Sequence, residues 1–303
     1  EIASCLVGSE MCIRDRYGGF MLYFLILCAV ILAAVLLRSH YENTHFTRAY
    51  YLYKSRKIKD NIKIVFLSDL HESVFGRENQ ELADAIRLEN PDYILLGGDL
   101  IIGKEKKLRT EQAFHFLTLI KDICPVYYTF GNHETRGKAL DGWKDYISRV
   151  EHMGKIKLLN NAGVHFTHGR TALYLYGLEL QAGVYKEKVF PGKLAAQNPF
   201  EKADRNEVKI LLAHTPEFFE TYEKWGADLV LSGHNHGGIV RLPVLGGVIS
   251  TGKRLFPKYS YGKYGEKDTQ MFLTAGAGTH TIRFRLFNQA EYVVLEMKKD
   301  QEG

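Results

Sequence analysis

The chain has 303 residues, 46% of them apolar and 25% charged, and a formal net charge of +5 at pH 7. This length and apolar content suit one large α/β domain of about 240 residues and exclude a disordered or fibrous chain. The mild charge argues against nucleic acid as a partner, and the sparse cysteines imply no disulfide framework.

Residues 1–19 are expected to be a non-native leader. Cys5-Leu-Val-Gly-Ser-Glu-Met-Cys-Ile-Arg-Asp15 reads like the translation of a sequencing-library adapter, and Met21 is the expected natural start. From Phe20 to Leu37 no charge occurs over 18 positions, about 27 Å as a helix, which spans a bilayer. An uncleaved anchor is the favoured reading over a removed signal peptide, because no small-residue cleavage motif follows Leu37. Residues 38–60 mix Tyr41, Phe46, Tyr50, Tyr51 and Tyr53 with Arg38, Arg48, Lys54, Arg56, Lys57 and Lys59, the composition of an interfacial collar. With the leader excluded, these cations all follow the helix, so the positive-inside rule places the domain that follows in the cytoplasm of a single-pass membrane protein.

The domain is expected over 61–298. Apolar, β-rich runs at Asn61–Leu67, Pro91–Leu96, Pro125–Phe130, Val208–Ala213 and Ala227–Leu231 alternate with helical stretches at Asn79–Leu88 and Glu111–Ile123, as in a sheet with buried strands. Each run ends in a short polar motif: Asp69-Leu70-His71, Gly97-Gly98-Asp99, Gly131-Asn132-His133-Glu134, His214, and Gly233-His234-Asn235-His236. Ligands in such sheets bind beyond the strand ends. Asp69, His71, Asp99, Asn132, His214, His234 and His236 supply seven O and N donors, enough for two divalent ions about 3.5–4 Å apart with one carboxylate between them. Mn, Fe and Zn all suit such donors.

Leu242–Tyr264 interleaves apolar, aromatic and cationic residues directly after the last motif. Lys253, Arg254 and Lys258 could meet phosphate while Leu255, Phe256 and Tyr259 meet acyl or sugar surface, or the segment is a solvated excursion. The insertion Gln181–Pro199 is uninformative. The Gly-rich turn Thr274–His280 and the following Arg285 border the site or serve close packing, with His280 and Arg285 as candidate phosphate contacts. The histidines at 40, 45, 115, 152, 165 and 168 are expected to be solvated or satisfied by neighbours.

The five motifs in this order resemble those of the calcineurin-like metallophosphoesterases over roughly Ile62 to Leu295. Ser232–Gly238 followed by Val240–Pro243 is similar to the membrane-anchored bacterial branch related to UDP-diacylglucosamine pyrophosphohydrolases. The resemblance implies a four-layer α/β fold, two packed mixed β-sheets flanked by helices, behind one N-terminal transmembrane helix. It implies that Asp69, His71 and His236 hold one metal, that Asn132, His214 and His234 hold the other, that Asp99 bridges, and that His133 acts on substrate. Many members carry a second Asp, three residues after the bridging one, that orients this histidine; here the position is Ile102, so His133 needs another partner. The implied activity is hydrolysis of a phosphodiester, pyrophosphate or phosphomonoester, with a lipid or envelope precursor as the expected substrate. The alternatives are a nucleotide phosphodiesterase and a catalytically weak metal-binding scaffold at the membrane.

Overall fold

A computed structural model of the protein describes residues 2–104, 106–187, 192, 196–242, 244–249, 255–265, 268–280 and 283–300, with the backbone alone for 2–19, 186 and 187. Two units result, Glu1–Tyr41 and Glu42–Gly303. The first is helical and makes up most of α1 (Ile2–Thr44). Within α1, Phe20–Thr44 is long and apolar enough to cross a membrane.

The second unit holds two six-stranded sheets. One has the order β1 (Phe46–Ser55), β16 (Ala290–Lys299), β2 (Ile62–Leu67), β3 (Tyr93–Leu96), β6 (Val126–Tyr128), β7 (Ile156–Leu158). The other runs β14 (Gly262–Tyr264), β15 (Gln270–Leu273), β11 (Leu229–Ser232), β10 (Val208–Ala213), β9 (Thr171–Leu178), β8 (Ala162–His168). Both are mixed. β2, β3, β6 and β7 run parallel while β16 is antiparallel to β2, and β9, β10, β11 and β15 run parallel between antiparallel β8 and β14.

Side chains alternate across each strand, so both faces of a central strand must find apolar partners. On β2, Ile62, Ile64 and Phe66 point between the sheets toward Ile210, Leu212, Leu229 and Leu231. Val65 and Leu67 face the other way, onto α2 (Gln80–Leu88), α3 (Glu111–Ile120) and α5 (Trp143–His152) through Leu82, Phe116, Leu117 and Tyr146. The short α4 (Asn132–Gly137) follows β6 directly. On β10, Leu211 and Ala213 meet Phe219, Tyr222 and Trp225 on the outer face of the second sheet. The result is the helix–sheet–sheet–helix layering expected from the resemblance.

The expected strands and helices appear with ends shifted by a few residues. The collar does not. Phe46–Ser55 is β1, paired in parallel with all ten residues of β16, and Tyr53 is buried in the inter-sheet core. Arg48 pairs with Glu89 and Lys57 with Asp228, so these cations belong to the domain fold, and the compact unit begins at Glu42 instead of residue 61.

Phe66 is fully buried between the sheets, and its ring lies where a Cβ on Gly97 would fall. Phe66→Ala leaves a cavity there and is expected to cost about 3–5 kcal/mol of stability. Urea unfolding followed by circular dichroism measures this, and a loss under about 1 kcal/mol contradicts the packing described.

Candidate metal centre

Because β2, β3 and β6 are adjacent and parallel, the residues just after them converge at one edge, and those after β10 and β11 reach it from the second sheet. Asp69 and Asp99 come from neighbouring strands and are at most 2% exposed. Asp69 N donates to Gly98 O (2.9 Å) and His71 N to Asp99 O (3.0 Å), tying the two loops together. His71 Nε2 lies 3.7 Å from both Asp69 Oδ1 and Asp99 Oδ2. His214 Nε2 lies 3.1 Å from Asp99 Oδ2 and 3.8 Å from Asp69 Oδ1. His236 Nε2 is 3.5 Å from Asp69 Oδ1 and 3.2 Å from His71 Nε2. His71, His236 and His280 bring ligand atoms within 4.8 Å of one another, as do Asp99, His214 and His234.

The backbone is bent to achieve this. Asp69, His71, Asp99, His234 and His236 all have φ between 46° and 72°, a region that non-glycine residues occupy only where surrounding structure enforces it. Two glycines make room. A Cβ on Gly131 would stand 2.3 Å from Asp99 Oδ1, and one on Gly233 2.2 Å from Asp69 Oδ2.

Second contacts fix the ligand rings. His214 Nδ1 lies 2.8 Å from Gly97 O and His236 Nδ1 3.0 Å from Gly278 O; a ring nitrogen facing a carbonyl carries the proton, which leaves Nε2 of each ring for a cation. The Glu134 carboxylate accepts from the amides of Asp99 (2.8 Å), Leu100 (2.8 Å) and Gly131 (3.0 Å) and from the Tyr128 hydroxyl (2.7 Å). It clamps the Asp99 loop to the start of α4, which carries Asn132. Burial, with the repulsion of Asp99 added, pushes its carboxyl up to about 7.

Ile102 opens β4 (Ile102–Lys104), which pairs with β5 (Lys107–Arg109). The next residue answers the question of the missing carboxylate: Gly103 N donates to His133 Nδ1 (3.2 Å). An acceptor Nδ1 is unprotonated, so the neutral ring carries its proton on Nε2. Burial pushes His133 down to about 3 despite Asp99, keeping the ring neutral. His133 Nε2 has no protein partner among the described residues, and neither has Asn132 Oδ1. Buried polar atoms left so at a cluster of carboxylates and imidazoles fit two divalent cations and a bound phosphate.

Asp69, His71, Asp99, His214, His234 and His236 are therefore brought together with His133, and Asn132 precedes His133 at the start of α4. Tyr185, from the insertion that carried no signal, joins them. Its ring stands 5.2 Å from His234, and its buried hydroxyl has no partner among the described residues. His280 lies 4.6 Å, ring to ring, from both His71 and His133. The expected substrate contacts fare differently. Arg285 is 1% exposed and donates to the carbonyls of Ala275, Gly276, Gly278 and Asn288. It is a strut behind the Gly278 carbonyl that holds His236, which corrects its assignment to phosphate. Lys258 is an exposed residue paired with Glu220 (2.8 Å), and Tyr259 is core instead of surface. Arg254 and Lys253 lie outside the described residues. Of the remaining histidines, His165 pairs with Glu207 and His152 with Ser148 O.

Two carboxylates among a cluster of imidazoles at the ends of parallel strands form a site that could hold divalent metal ions. Residues 62–238 match the calcineurin-like phosphoesterase family, and the chain belongs to it; it is a metal-dependent phosphoric ester hydrolase. It is 30% identical over 250 residues to the uncharacterized metallophosphoesterase Cj0846 of Campylobacter jejuni, covering 80% of this chain and 60% of that relative's length. It is 29% identical over 247 residues to phosphodiesterase YaeI of Escherichia coli, covering 79% of this chain and 84% of the relative. Among solved structures, TT1561 of Thermus thermophilus matches with a TM-score of 0.43 at 13% identity, over 72% of this chain and 90% of that one.

Metal loading should release a proton. Burial alone would lower the His214 pKa, but Asp99 and Asp69 outweigh it and raise it to about 10, whereas burial holds His133 and His234 near 3 and His280 near 4. His214 is thus protonated from below its unfolded value near 6.5 up to about pH 10 and must lose that proton to coordinate, so affinity should rise with pH across this window. Titrating Mn into chelator-treated protein at about pH 7, in two buffers of different ionisation enthalpy, should show about one proton released per chain; identical enthalpies in both contradict it. Glu134→Gln, which puts an NH2 where amides now donate, should weaken Mn binding by at least about tenfold with the fold retained. Unchanged affinity would sink the clamp.

Proposed function

We propose that the chain is a membrane-tethered, two-metal phosphoesterase whose substrate is a phosphodiester or pyrophosphate of a lipid or cell-envelope precursor. The observation that carries this reading is the pair Asp69 and Asp99 bracketed by His71 and His214, with the Nε2 of His133 left without a protein partner beside them. Asp69, His71 and His236 would hold one ion, and Asn132, His214 and His234 the other, with Asp99 shared. When bound, two divalent ions neutralise phosphate charge and activate water for in-line attack.

The rest falls to the chain itself. His133 Nε2–H, its tautomer fixed by the Gly103 amide, donates to a phosphoryl or leaving oxygen as charge develops there. The rings of His280 and Tyr185 stand beside His71 and His234, and these two side chains would orient the ester. The buried walls exclude bulk water, which strengthens each of these hydrogen bonds. Mn, Fe or Zn would serve.

The lipid-linked substrate rests on the apolar Phe20–Thr44 helix, read as an anchor that keeps the enzyme beside membrane-resident esters, and on the resemblance to pyrophosphohydrolases of lipid precursors. YaeI, named a phosphodiesterase, favours a diester. The basic residues after the apolar run support a cytoplasmic domain, although Arg48 and Lys57 also serve the fold.

With Mn, the protein should hydrolyse an aryl phosphodiester. Asp99→Asn should abolish turnover, while His133→Ala should lower kcat by about 10²–10⁴ and leave metal content unchanged. Bound metal without turnover on diester, pyrophosphate and monoester substrates alike would favour the scaffold, and preference for cyclic nucleotides over lipid-linked phosphates would favour the nucleotide phosphodiesterase.

A further inference from the structure

The structure assigns a second membrane contact, separate from α1: an apolar, cationic face beside the metal centre that docks onto an anionic lipid bilayer. The inference rests on the reading of the chain as membrane-tethered and adds a lipid-facing surface on the catalytic unit itself.

Past Tyr41, nine large hydrophobic residues are exposed among the described residues, and five of them belong to three loops joined by backbone hydrogen bonds. Val244 (105% exposed) and Leu245 (63%) sit at the turn of a hairpin, β12 (Arg241–Leu242) and β13 (Gly246–Gly247). Leu255 and Phe256 join this hairpin through the Ile249–Leu255 bridge and Phe256 N donating to Val248 O (2.8 Å). Phe287 joins it through the Val240–Leu286 bridge and Arg241 N donating to Leu286 O (3.0 Å). An isolated exposed leucine needs no explanation, but five large apolar side chains exposed on loops that are bonded to one another do.

Val244, Phe256 and Phe287 adopt φ of 70°, 47° and 55°. Glycine or asparagine would suit such backbone better, so folding alone does not account for the bulky side chains at these loop tips.

The charge around them selects the partner. From Ile239 to Gly265 the sequence carries Arg241, Lys253, Arg254, Lys258 and Lys263 and no Asp or Glu. Lys258 is paired with Glu220 (2.8 Å), but within the segment itself every formal charge is positive, and exposed hydrophobic tips in such a segment match anionic headgroups over acyl chains.

Chain connectivity points the same way. Asn288, next to Phe287, donates its N–H to Glu42 Oε2 (3.0 Å), and Thr279 Oγ1 donates to Asn43 Oδ1 (3.0 Å). The chain enters the catalytic unit at this spot. From Leu37, the end of the uncharged run, to Glu42 is five residues, at most about 18 Å even if fully extended, so the connection between that run and the catalytic unit is short. Asn288 also donates to His236 O (2.7 Å), which places the same face next to a metal ligand and would present the site to headgroup phosphates.

The test uses the full chain reconstituted into vesicles of phosphatidylcholine and phosphatidylglycerol, with Val244→Trp, Phe287→Trp and, as control, Leu88→Trp at a position 87% exposed on α2. The native Trp143 and Trp225 are buried and give a constant background. Acyl-brominated lipids should quench the tryptophan introduced at position 244 or 287 at least about twofold more than the one introduced at 88, with a blue shift that needs vesicles. Quenching at 244 and 287 no greater than at 88 overturns the proposal, and so does a blue shift that grows with protein concentration without vesicles, because a second copy of the chain then covers the face. Resistance to alkaline carbonate extraction reports the anchor separately. A carbonate-resistant Val244→Trp chain that stays unquenched refutes the docking face alone, and an extractable Val244→Trp chain that is quenched refutes the anchor alone.

Discussion

Two buried carboxylates side by side are the constraint on which the structure turns. Asp69 and Asp99 stand at the ends of neighbouring parallel strands and are sealed from water, where like charges repel strongly and each lacks hydration. Their charge is balanced from every direction. The amides of His133 and His234 donate to them (2.7 Å to Asp99, 3.1 Å to Asp69), and imidazoles bracket them. This balance lowers both carboxyl pKa values even though burial pulls the other way. The left-handed ligand backbones, the glycines pressed against both carboxylates and the Glu134 clamp all exist to hold this pair. Divalent cations bound here would complete the neutralisation that the protein groups begin.

Support for the pair reaches outward in layers. Asn288, fully buried, accepts from Arg241, donates its side-chain amide to the carbonyl of His236 and donates its backbone N–H to Glu42. Arg285 braces the Gly278 carbonyl that faces the other side of the same histidine. Polar side chains this deep are retained only when every partner is in place, and here the partners run from the first residue of the catalytic unit to a metal ligand.

The central strands and the ligand set were legible in the sequence because strands buried on both faces read as apolar runs, and because donors at strand ends interrupt those runs sharply. β1 was not. Its alternation of aromatic and basic residues is the pattern of a half-exposed edge strand and of a membrane collar alike, and only pairing with β16, more than 200 positions away, distinguishes them. Arg285 looked like a phosphate contact because residue type says nothing of burial. The loss of a carboxylate at Ile102 looked like a defect because the group that replaces it, the Gly103 amide, belongs to the backbone and leaves no mark in residue identity. Tyr185 sits in an insertion without periodicity, so its approach to His234 is a product of tertiary packing alone.

The central claim is that Asp99 joins two metal ions in one site. Electron paramagnetic resonance of the full chain loaded with two equivalents of Mn tests it most directly. The account predicts a spin-coupled dinuclear signal that collapses to an isolated six-line spectrum in Asp99→Asn; isolated six-line spectra from both proteins would contradict it.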